Sequence, residues 1–302
     1  MTSLGRLLTA MVTPFDDDGG VNFKCARELA RALLESGSDG LVVAGTTGES
    51  PTLTRDEKLR LFEEVKSVAG DATIVAGTGD NETAFSIEMT REAERIGVDG
   101  VLLVVPYYNK PTQEGLYQHF KAIAESTSLA CMLYNVPGRT GTNMTAETTI
   151  RLSTIPNIVG IKEASGDLGQ ITEVIKATSE DFLVWSGNDI DFLPVLERGG
   201  YGVVSVASHL VGKQMRKMMD FEMAGDHVAA KAIHDRLTPV FRDLFVISNP
   251  IPVKHALNEI GFPVGGFRLP LTPPDGETAR VVMDAVHAVT VDLPQSTAAS
   301  KG

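Results

Sequence analysis

Short apolar runs recur along the first two thirds of the chain. Each is four to six residues long, rich in β-branched residues and mostly free of the alternating polar positions of a half-exposed strand. Runs of this kind are typical of strands in a parallel sheet that is covered on both faces. The pattern predicts eight strands, at 7–12, 40–45, 73–77, 100–105, 130–135, 158–162, 182–187 and 202–206.

The segments between these runs have the period of amphipathic helices. Residues 25–37, 54–70, 83–97 and 112–127 carry an apolar stripe at helical spacing. Thr54 with Glu57 three residues later is a capping box, and Gly37 marks a helix end. Strand starts lie about 20 to 35 residues apart, which is one βα unit each. Eight such units predict an α/β fold, a (β/α)8 TIM barrel.

The pattern changes after residue 207, where the strand signals stop. Residues 211–262 have a helical pattern interrupted at 249–254, and a last helix is predicted at 278–289. We therefore expect a barrel core over 1–210 and additional C-terminal helices over 211–291, packed on the barrel. The small, polar tail over 292–302 is predicted to be disordered. No linker rich in Pro, Gly or Ser separates two independent domains.

A doubly wound nucleotide-binding sheet is the main structural alternative. Its dinucleotide fingerprint is missing, because GTGDNE at 77–82 is not GxGxxG. Gly212 and Lys213 fail as a P-loop, since Gln214 follows where Ser or Thr is needed and Ala207 replaces the first glycine. These absences favour the barrel.

Composition and charge narrow the function classes. The chain has 302 residues, 43% hydrophobic and 22% charged, with a net charge of −12, which disfavours nucleic acid and anionic membranes as partners. No apolar run reaches the roughly 18 residues of a membrane span. Cys25 and Cys131 lie far apart and suggest neither a disulfide framework nor a metal site. With no recognisable signal peptide, we expect a cytoplasmic protein.

The sixth predicted strand ends on a lysine, Lys162. A lysine at a strand end usually extends its ammonium group into solvent. A desolvated lysine instead loses its proton more readily and becomes an amine nucleophile. The residues at the other strand ends must decide between these two interpretations.

Two of the other strand ends carry groups that could bind or protonate a small acid. The second strand runs into GTTGES, where Thr46 and Thr47 add two hydroxyls to a glycine-rich turn that could hold a carboxylate. The fifth runs into YNVPGRTG, with Tyr134 at the strand end and Arg139 on a Pro-Gly turn. A phenol can relay a proton, and a guanidinium can bind a carboxylate with two hydrogen bonds. Taken alone, each could be an ordinary core, turn or surface residue.

The remaining strand ends fall on the same face of the predicted barrel, where catalytic residues of such barrels lie. The fourth strand leads to the paired Tyr107 and Tyr108, which could equally be packing or interface residues. The seventh leads to Gly187, and the eighth contains Val204. The coincidence favours a reactive Lys162 and Schiff-base chemistry on a 2-oxo acid. The amine would attack the ketone, and the resulting enamine would be a carbon nucleophile.

Metal chemistry is not indicated by the histidines. None forms an HExxH motif, and only His209 falls just past a strand end, so we expect structural or surface roles for all of them. The histidines are His119, His209, His227, His234, His255 and His287.

Four segments taken together resemble one family. GTTGES, PYYNKPTQEGLYQHFKAIAE, YNVPGRTG and GIKEASGD match the dihydrodipicolinate synthase family, and the likeness extends over about residues 5–290. These are class I aldolase-like (β/α)8 enzymes of lysine and diaminopimelate biosynthesis. The resemblance implies condensation of pyruvate with L-aspartate 4-semialdehyde to 4-hydroxy-tetrahydrodipicolinate. It also implies a homotetramer built as a dimer of tight dimers, and no cofactor beyond the covalent lysine–pyruvate imine.

The resemblance also implies roles for individual residues. Lys162 would form the Schiff base. A proton relay would comprise Tyr134, Thr46 and Tyr108, the last reaching in from a neighbouring subunit. The residues that would contact substrate are Thr47 for the pyruvate carboxylate, Arg139 for the carboxylate of the aldehyde, and Gly187 and Val204 through backbone groups near pyruvate.

Two alternative functions stay open at this point. N-acetylneuraminate lyase and 2-keto-3-deoxy sugar acid aldolases are sibling enzymes that share the lysine, the tyrosine and the GxTGE-like loop, although Arg139 and the Tyr107–Tyr108 pair favour the synthase. A non-catalytic barrel that binds a 2-oxo acid is the other alternative. It is disfavoured by the presence of Lys162, Tyr134 and both threonines.

Regulation is the point at which the sequence departs from the family pattern. Feedback-inhibited relatives tend to have His and Glu at positions that correspond here to Arg55, Lys58 and Phe85, whereas Asn81 and Tyr107 of that site are retained. Without an acidic partner for a cationic effector, we expect weak or absent inhibition by lysine.

Overall fold

Eight parallel strands close into a barrel in the computed structural model, which describes residues 4–294. Each strand pairs with the next along the chain, and the eighth pairs with the first, which confirms the predicted TIM barrel. The strands are β1 Leu7–Ala10, β2 Gly40–Val43, β3 Thr73–Gly77, β4 Gly100–Val104, β5 Ala130–Asn135, β6 Ile158–Glu163, β7 Leu183–Ser186 and β8 Gly202–Ser205.

Alternate residues of each strand face the barrel interior and the surrounding helices. The interior is filled by a compact cluster that includes Leu8, Val42, Tyr134 and Trp185. The outward-facing residues join the helices in a much larger apolar cluster, which contains Cys131 as a small buried residue. Full burial on both faces explains why the strands appear in the sequence as continuous apolar runs.

Helices follow the strands in the order expected for βα units. The capping box at Thr54 and Glu57 is present, with the Thr54 side chain accepting from the backbone of Glu57. The barrel helices are α1 Phe23–Glu35, α2 Arg55–Lys66, α3 Thr83–Ile96, α4 Gln113–Ala124, α5 Pro137–Thr140, α6 Ala146–Leu152, α7 Leu168–Ala177 and α8 Phe192–Leu196.

Four further helices follow β8 in the chain. They are α9 Ser208–Met223, α10 His227–Asp243, α11 Ile251–Glu259 and α12 Gly276–His287. The α9 helix packs against β1 and α1, and α10 packs against α9 and α12. The domain boundary predicted at residue 210 falls within α9, beside the non-helical Val211. No helix within residues 4–294 combines the length and apolar character that a membrane span requires.

Two C-terminal expectations change in their bounds. The helical region is interrupted as predicted, but the break is earlier than 249–254, because α10 ends at Asp243 and α11 begins at Ile251. Residues 251–254 form the first turn of α11, where Pro252 is tolerated because no intrahelical N–H is needed. The predicted disordered tail, 292–302, lies mostly outside the described residues. Its first residues are packed, because Asp292 accepts a hydrogen bond from the Gln214 backbone at 3.0 Å and Leu293 is buried.

Candidate active site

A cavity of about 260 Å³ opens at the C-terminal end of the barrel. Its lining comes from the ends of β2, β3, β4 and β5 and from the loops that follow them. Three of the residues predicted from the sequence, Thr46, Tyr134 and Arg139, line this cavity together. Positions 93 residues apart in the chain meet here because the carboxyl ends of parallel strands share one edge of the barrel.

Lys162 lies beside this cavity, one residue before the end of β6. Its neighbour in register on β5 is Tyr134, so both side chains point to the same side of the sheet. The Lys162 ammonium lies 4.2 Å from the centre of the Tyr134 ring, and the residue is only 5% exposed. Among residues 4–294 its ammonium has neither a hydrogen bond nor an ion pair, and its direct contact is the Tyr134 ring. The amine is therefore withdrawn from water without being tied to a carboxylate.

Gly187 gives Lys162 the space that it needs. A Cβ atom at position 187 would come within 3.2 Å of Lys162 Cε and 2.6 Å of Ala164 Cβ. A larger residue would push the lysine side chain or the β6 backbone away. Val204 is fully buried in the same interior cluster as Tyr134. The backbone contacts of Gly187 and Val204 with pyruvate stay a prediction from the resemblance.

Thr47 and Arg139 are joined through a residue that the sequence analysis missed, Asn249. The Asn249 side-chain amide donates to Thr47 Oγ1 at 2.8 Å, and Arg139 Nη2 donates to the Asn249 carbonyl at 3.1 Å. Because Thr47 Oγ1 already accepts a hydrogen bond, its own proton remains available for an anion. Asn249 was missed because its segment was read as a helix interruption; the only signal was its place before two prolines.

The predicted proton relay is only partly assembled within one chain. Thr46 and Tyr134 line the cavity without a mutual hydrogen bond, and Tyr108 is 89% exposed with a left-handed φ of 74°. Tyr107 lines the cavity instead and donates its hydroxyl to Asp80 at 3.0 Å. Burial, reinforced by the charge of Asp80, raises the pKa of Tyr107 to about 12, so Tyr107 stays protonated at neutral pH.

Asp189, in the loop after β7, is a second residue missed by the sequence analysis. Its carboxylate accepts hydrogen bonds from the backbone of Val206 at 3.1 Å and Ala207 at 2.8 Å, and so ties this loop to the end of β8. Burial raises the pKa of Asp189, while these donors and the positive charge of Lys162 oppose the rise. Asp189 is therefore a fully buried carboxyl group in the electrostatic field of Lys162.

His209 holds two backbone segments together near the cavity. Its Nε2 accepts a hydrogen bond from the Val12 N–H at 3.2 Å, so Nδ1 carries the proton that is donated to the Val206 carbonyl at 2.8 Å. Burial lowers the pKa of His209 to about 4. A neutral histidine bonded only to backbone has the structural role expected from the sequence.

Comparisons with known proteins agree with this geometry. The chain matches the model of the dihydrodipicolinate synthetase family over residues 3–289. It is 59% identical to 4-hydroxy-tetrahydrodipicolinate synthase of Dehalococcoides mccartyi over 97% of this chain and 99% of that protein. Solved structures of dihydrodipicolinate synthase from Bacillus anthracis and, with lysine bound, from Cyanidioschyzon merolae are similar.

The two structures match the barrel closely. The Bacillus enzyme has a TM-score of 0.94 at 47% identity, covering 96% of this chain and 99% of that one. The Cyanidioschyzon enzyme has a TM-score of 0.93 at 49% identity, covering 94% and 98%. With a barrel of this shape, a lysine on Tyr134 and a family match along nearly its whole length, the chain belongs to the dihydrodipicolinate synthetase family.

Proposed function

We propose that this protein condenses pyruvate with L-aspartate 4-semialdehyde to give 4-hydroxy-tetrahydrodipicolinate, as a lyase of lysine and diaminopimelate biosynthesis. The observation that carries the proposal is Lys162, a buried amine without an ion pair among the described residues, packed on Tyr134. Identity of 59% over nearly the full length to an enzyme named for this reaction supports the same substrates.

The chemistry begins at the Lys162 amine. Its neutral form attacks C2 of pyruvate, and the carbinolamine loses water to give an iminium ion. Tyr134 is close enough to assist as a proton donor to the departing hydroxyl, since its ring lies against the lysine. The positive iminium acidifies the neighbouring methyl group, which loses a proton. The resulting enamine attacks the aldehyde carbon of the second substrate and forms the new C–C bond, while the aldehyde oxygen takes up a proton and becomes the 4-hydroxyl group. The amino group of the second substrate then adds to the iminium carbon and displaces the Lys162 amine, which closes the ring and frees the enzyme.

Two residues are our candidates for binding the carboxylates of the substrates. Thr47, with its hydroxyl proton left available by Asn249, is our candidate for the pyruvate carboxylate. Arg139 lines the cavity and is our candidate for the carboxylate of the aldehyde. Gly187 and Val204 would contribute backbone groups beside pyruvate. These roles follow from the family resemblance; Arg139 lines the cavity, Thr47 is joined to it through Asn249, and Gly187 lies against Lys162.

Tyr108 completes the relay only if a second subunit provides it. Its 89% exposure and left-handed backbone fit a residue that projects into a partner chain, and the family pattern is a homotetramer. We expect neither a metal nor an organic cofactor, and a cytoplasmic location stays a prediction from the sequence.

A subunit-mixing experiment tests the role of Tyr108. Tyr108→Phe and Tyr134→Phe homo-oligomers should each be nearly inactive. Dissociation and reassembly of a mixture should restore part of the activity, because some sites in mixed oligomers combine Tyr134 with an intact Tyr108 from a partner. Analytical ultracentrifugation confirms that both variants keep the wild-type assembly. Absence of recovery in properly mixed oligomers would show that Tyr108 does not act in a neighbouring subunit, and an active Tyr108→Phe homo-oligomer would place it outside the relay.

The proposed reaction itself is tested by incubating pyruvate with L-aspartate 4-semialdehyde and coupling product formation to the next reductase, with NADPH loss as the signal. Lys162→Ala should abolish the signal, and dialysis against a chelator should leave it unchanged. N-acetylneuraminate and a 2-keto-3-deoxy sugar acid serve as comparison substrates. Release of pyruvate from either, without condensation activity, would overturn the proposal in favour of a sibling lyase.

A further inference from the structure

A second buried lysine, Lys254, lies in α11 and forms a completely buried ion pair. Its Nζ lies 2.8 Å from Glu49 Oε1, and both side chains are 0% exposed. The same ammonium donates to the Thr13 carbonyl at 3.0 Å, and the other oxygen of Glu49 accepts from the Arg268 backbone at 3.2 Å. Every charged atom of the pair is therefore satisfied by a specific neighbour.

The Glu49 side of this pair continues directly into the carboxylate-binding loop. Glu49 is two residues beyond Thr47 and has a left-handed φ of 55°, an uncommon conformation for a residue with a side chain. The loop is also held at Gly48, whose carbonyl accepts from Thr13 Oγ1 at 2.6 Å. The lysine–glutamate contact thus fixes the end of the turn that presents Thr46 and Thr47.

The Lys254 side of the pair leads to the other half of the binding apparatus. One turn of α11 separates Lys254 from Asn249, whose amide donates to Thr47 Oγ1 and whose carbonyl accepts from Arg139. The pair and the Asn249–Thr47 hydrogen bond therefore join the same two segments at two points. Together they set the position of the Thr47 loop relative to Asn249, the residue whose carbonyl accepts a hydrogen bond from Arg139.

Stability alone gives a poor reason for such a pair. Burying two charges carries a large desolvation cost, and apolar replacements of similar volume are often neutral or stabilising. Here each charged group is bound by specific neighbours at 2.8–3.2 Å, which restricts the geometry of the pair. This makes it suited to fixing the direction of a neighbouring hydrogen bond.

We infer that Glu49 and Lys254 are positioning residues, which hold the Thr47 hydroxyl against Asn249 so that its proton points to the pyruvate carboxylate. The inference rests on the proposed function and deepens it. Neither residue touches substrate; they act through Thr47 and, by way of Asn249, through Arg139. Loss of the pair should weaken pyruvate binding more than it slows the chemistry at Lys162.

The test compares wild type, Glu49→Gln and the double variant Glu49→Gln/Lys254→Met. The double variant removes both charges together, so no single buried charge is left without a partner. Melting temperature, KM for pyruvate, kcat, and the pyruvate concentration that half-saturates borohydride trapping at Lys162 are measured. We expect both KM and half-saturation to rise about tenfold in the double variant and less in Glu49→Gln, with kcat within about threefold.

A control of the same charge type is the partly exposed ion pair of Lys66 and Asp99, which lies near the start of β4, at the opposite end of the barrel. Lys66→Met/Asp99→Asn should change neither constant for pyruvate. Unchanged KM and half-saturation in a folded double variant would overturn the inference; if that variant does not fold, an unchanged KM in Glu49→Gln would do so. Failure of the proposed function has a different sign: the wild type itself would trap no pyruvate. The two failures can therefore be told apart.

Discussion

Two buried lysines of this protein have opposite surroundings. Lys254 is 0% exposed and has Glu49 and a backbone carbonyl within hydrogen-bond distance of its ammonium. Lys162 is 5% exposed and meets an aromatic ring in place of a carboxylate. Both have left water, but only the first has had its hydration replaced by fixed oxygen atoms. The ammonium of Lys254 is held by two oxygen acceptors, whereas that of Lys162 has no such bonds and is free to meet a substrate as a nucleophile.

The contrast explains how the same residue type, a buried lysine, can serve catalysis at one position and hold the structure at another. Burial lowers the pKa of Lys254, and Glu49 opposes that change by stabilising the charged form. Lys162 lies instead in the field of Asp189, a carboxyl group whose Oδ2 accepts hydrogen bonds from the backbone of Val206 and Ala207. One oxygen of Asp189 thus orients a loop, whereas Oε1 of Glu49 binds a lysine directly.

The largest effect that could break this comparison concerns the reactivity of Lys162. Lys162→Arg keeps a positive charge but removes a nucleophilic amine, so condensation should fall by at least about 1000-fold. Mass spectrometry after borohydride reduction with pyruvate should detect an adduct on the wild type and none on the variant. Lys213→Arg, at an exposed position, is the control. A pyruvate adduct on Lys254 in the Lys162→Arg protein would contradict the assignment of roles.

The next largest effect is on stability, where substitution of Lys254 should cost more than substitution of Lys162. Lys254→Met leaves Glu49 as a buried charge without its partner, which should lower the free energy of unfolding by about 3–5 kcal/mol. Lys162→Met abandons no ion partner and nearly conserves volume, so the loss should stay under about 1.5 kcal/mol. Urea unfolding of the two variants measures the difference. Equal losses would mean that Lys254 is not held mainly by its ion pair.

A third buried titratable group, His209, extends the comparison to pH. It is bonded in its neutral form, so protonation would turn its Nε2 into a donor facing the Val12 N–H. The folded-state pKa of about 4 lies below the usual 6.5. As the pH falls through this interval the unfolded chain binds the proton first, and the free energy of unfolding drops by up to about 3 kcal/mol.

Thermal unfolding between pH 7 and pH 4 tests the role of His209. The wild type should lose stability steadily as the pH falls from about 6.5 to about 4. His209→Gln should be less stable at pH 7 but show a shallower decline. His287→Gln, at an exposed position, should follow the wild-type curve. A His209→Gln curve parallel to the wild type would remove His209 as a source of the acid sensitivity.

Strand ends were more predictable from the sequence than the contacts that support them. Apolar runs and helix caps are local signals, so the eight strands, the Thr54 capping box and the shared face of Lys162, Tyr134 and Arg139 could be inferred. Asn249 reaches Thr47 across 202 positions, and no local pattern encodes such a contact.

The buried charged residues that support the site could not be predicted from the sequence either. A lysine in a helix that begins after a proline, such as Lys254, has no pattern that distinguishes it from a solvated lysine. Its burial depends on Glu49, which is 205 positions away. The sequence therefore predicted which residues could react, but could not predict which residues hold them in place.

The smallest effect sharpens the comparison with a third buried lysine, Lys58. It is 8% exposed, lines the cavity and has no hydrogen bond or ion pair within residues 4–294, so its ammonium is available to act on a ligand. Burial lowers its pKa, with the charge of Asp80 opposing the change. Where Lys58 is charged, a second ammonium about 5 Å away would be repelled by about 3 kcal/mol, which weakens binding more than about 100-fold.

Free L-lysine should therefore inhibit this protein weakly or not at all. Feedback-inhibited relatives differ in having His and Glu at the corresponding positions. Titration of lysine in the condensation assay should change the rate by less than about twofold at millimolar concentration. Lys58→His/Phe85→Glu should become measurably more sensitive, and Lys58→Met, which removes only the charge, should fall between them. Strong inhibition of the wild type would mean that lysine binds where Lys58 does not oppose it. Lys58 would then be a packed side chain with no part in choosing the ligand, and the link between an unpaired buried lysine and function would hold for Lys162 alone.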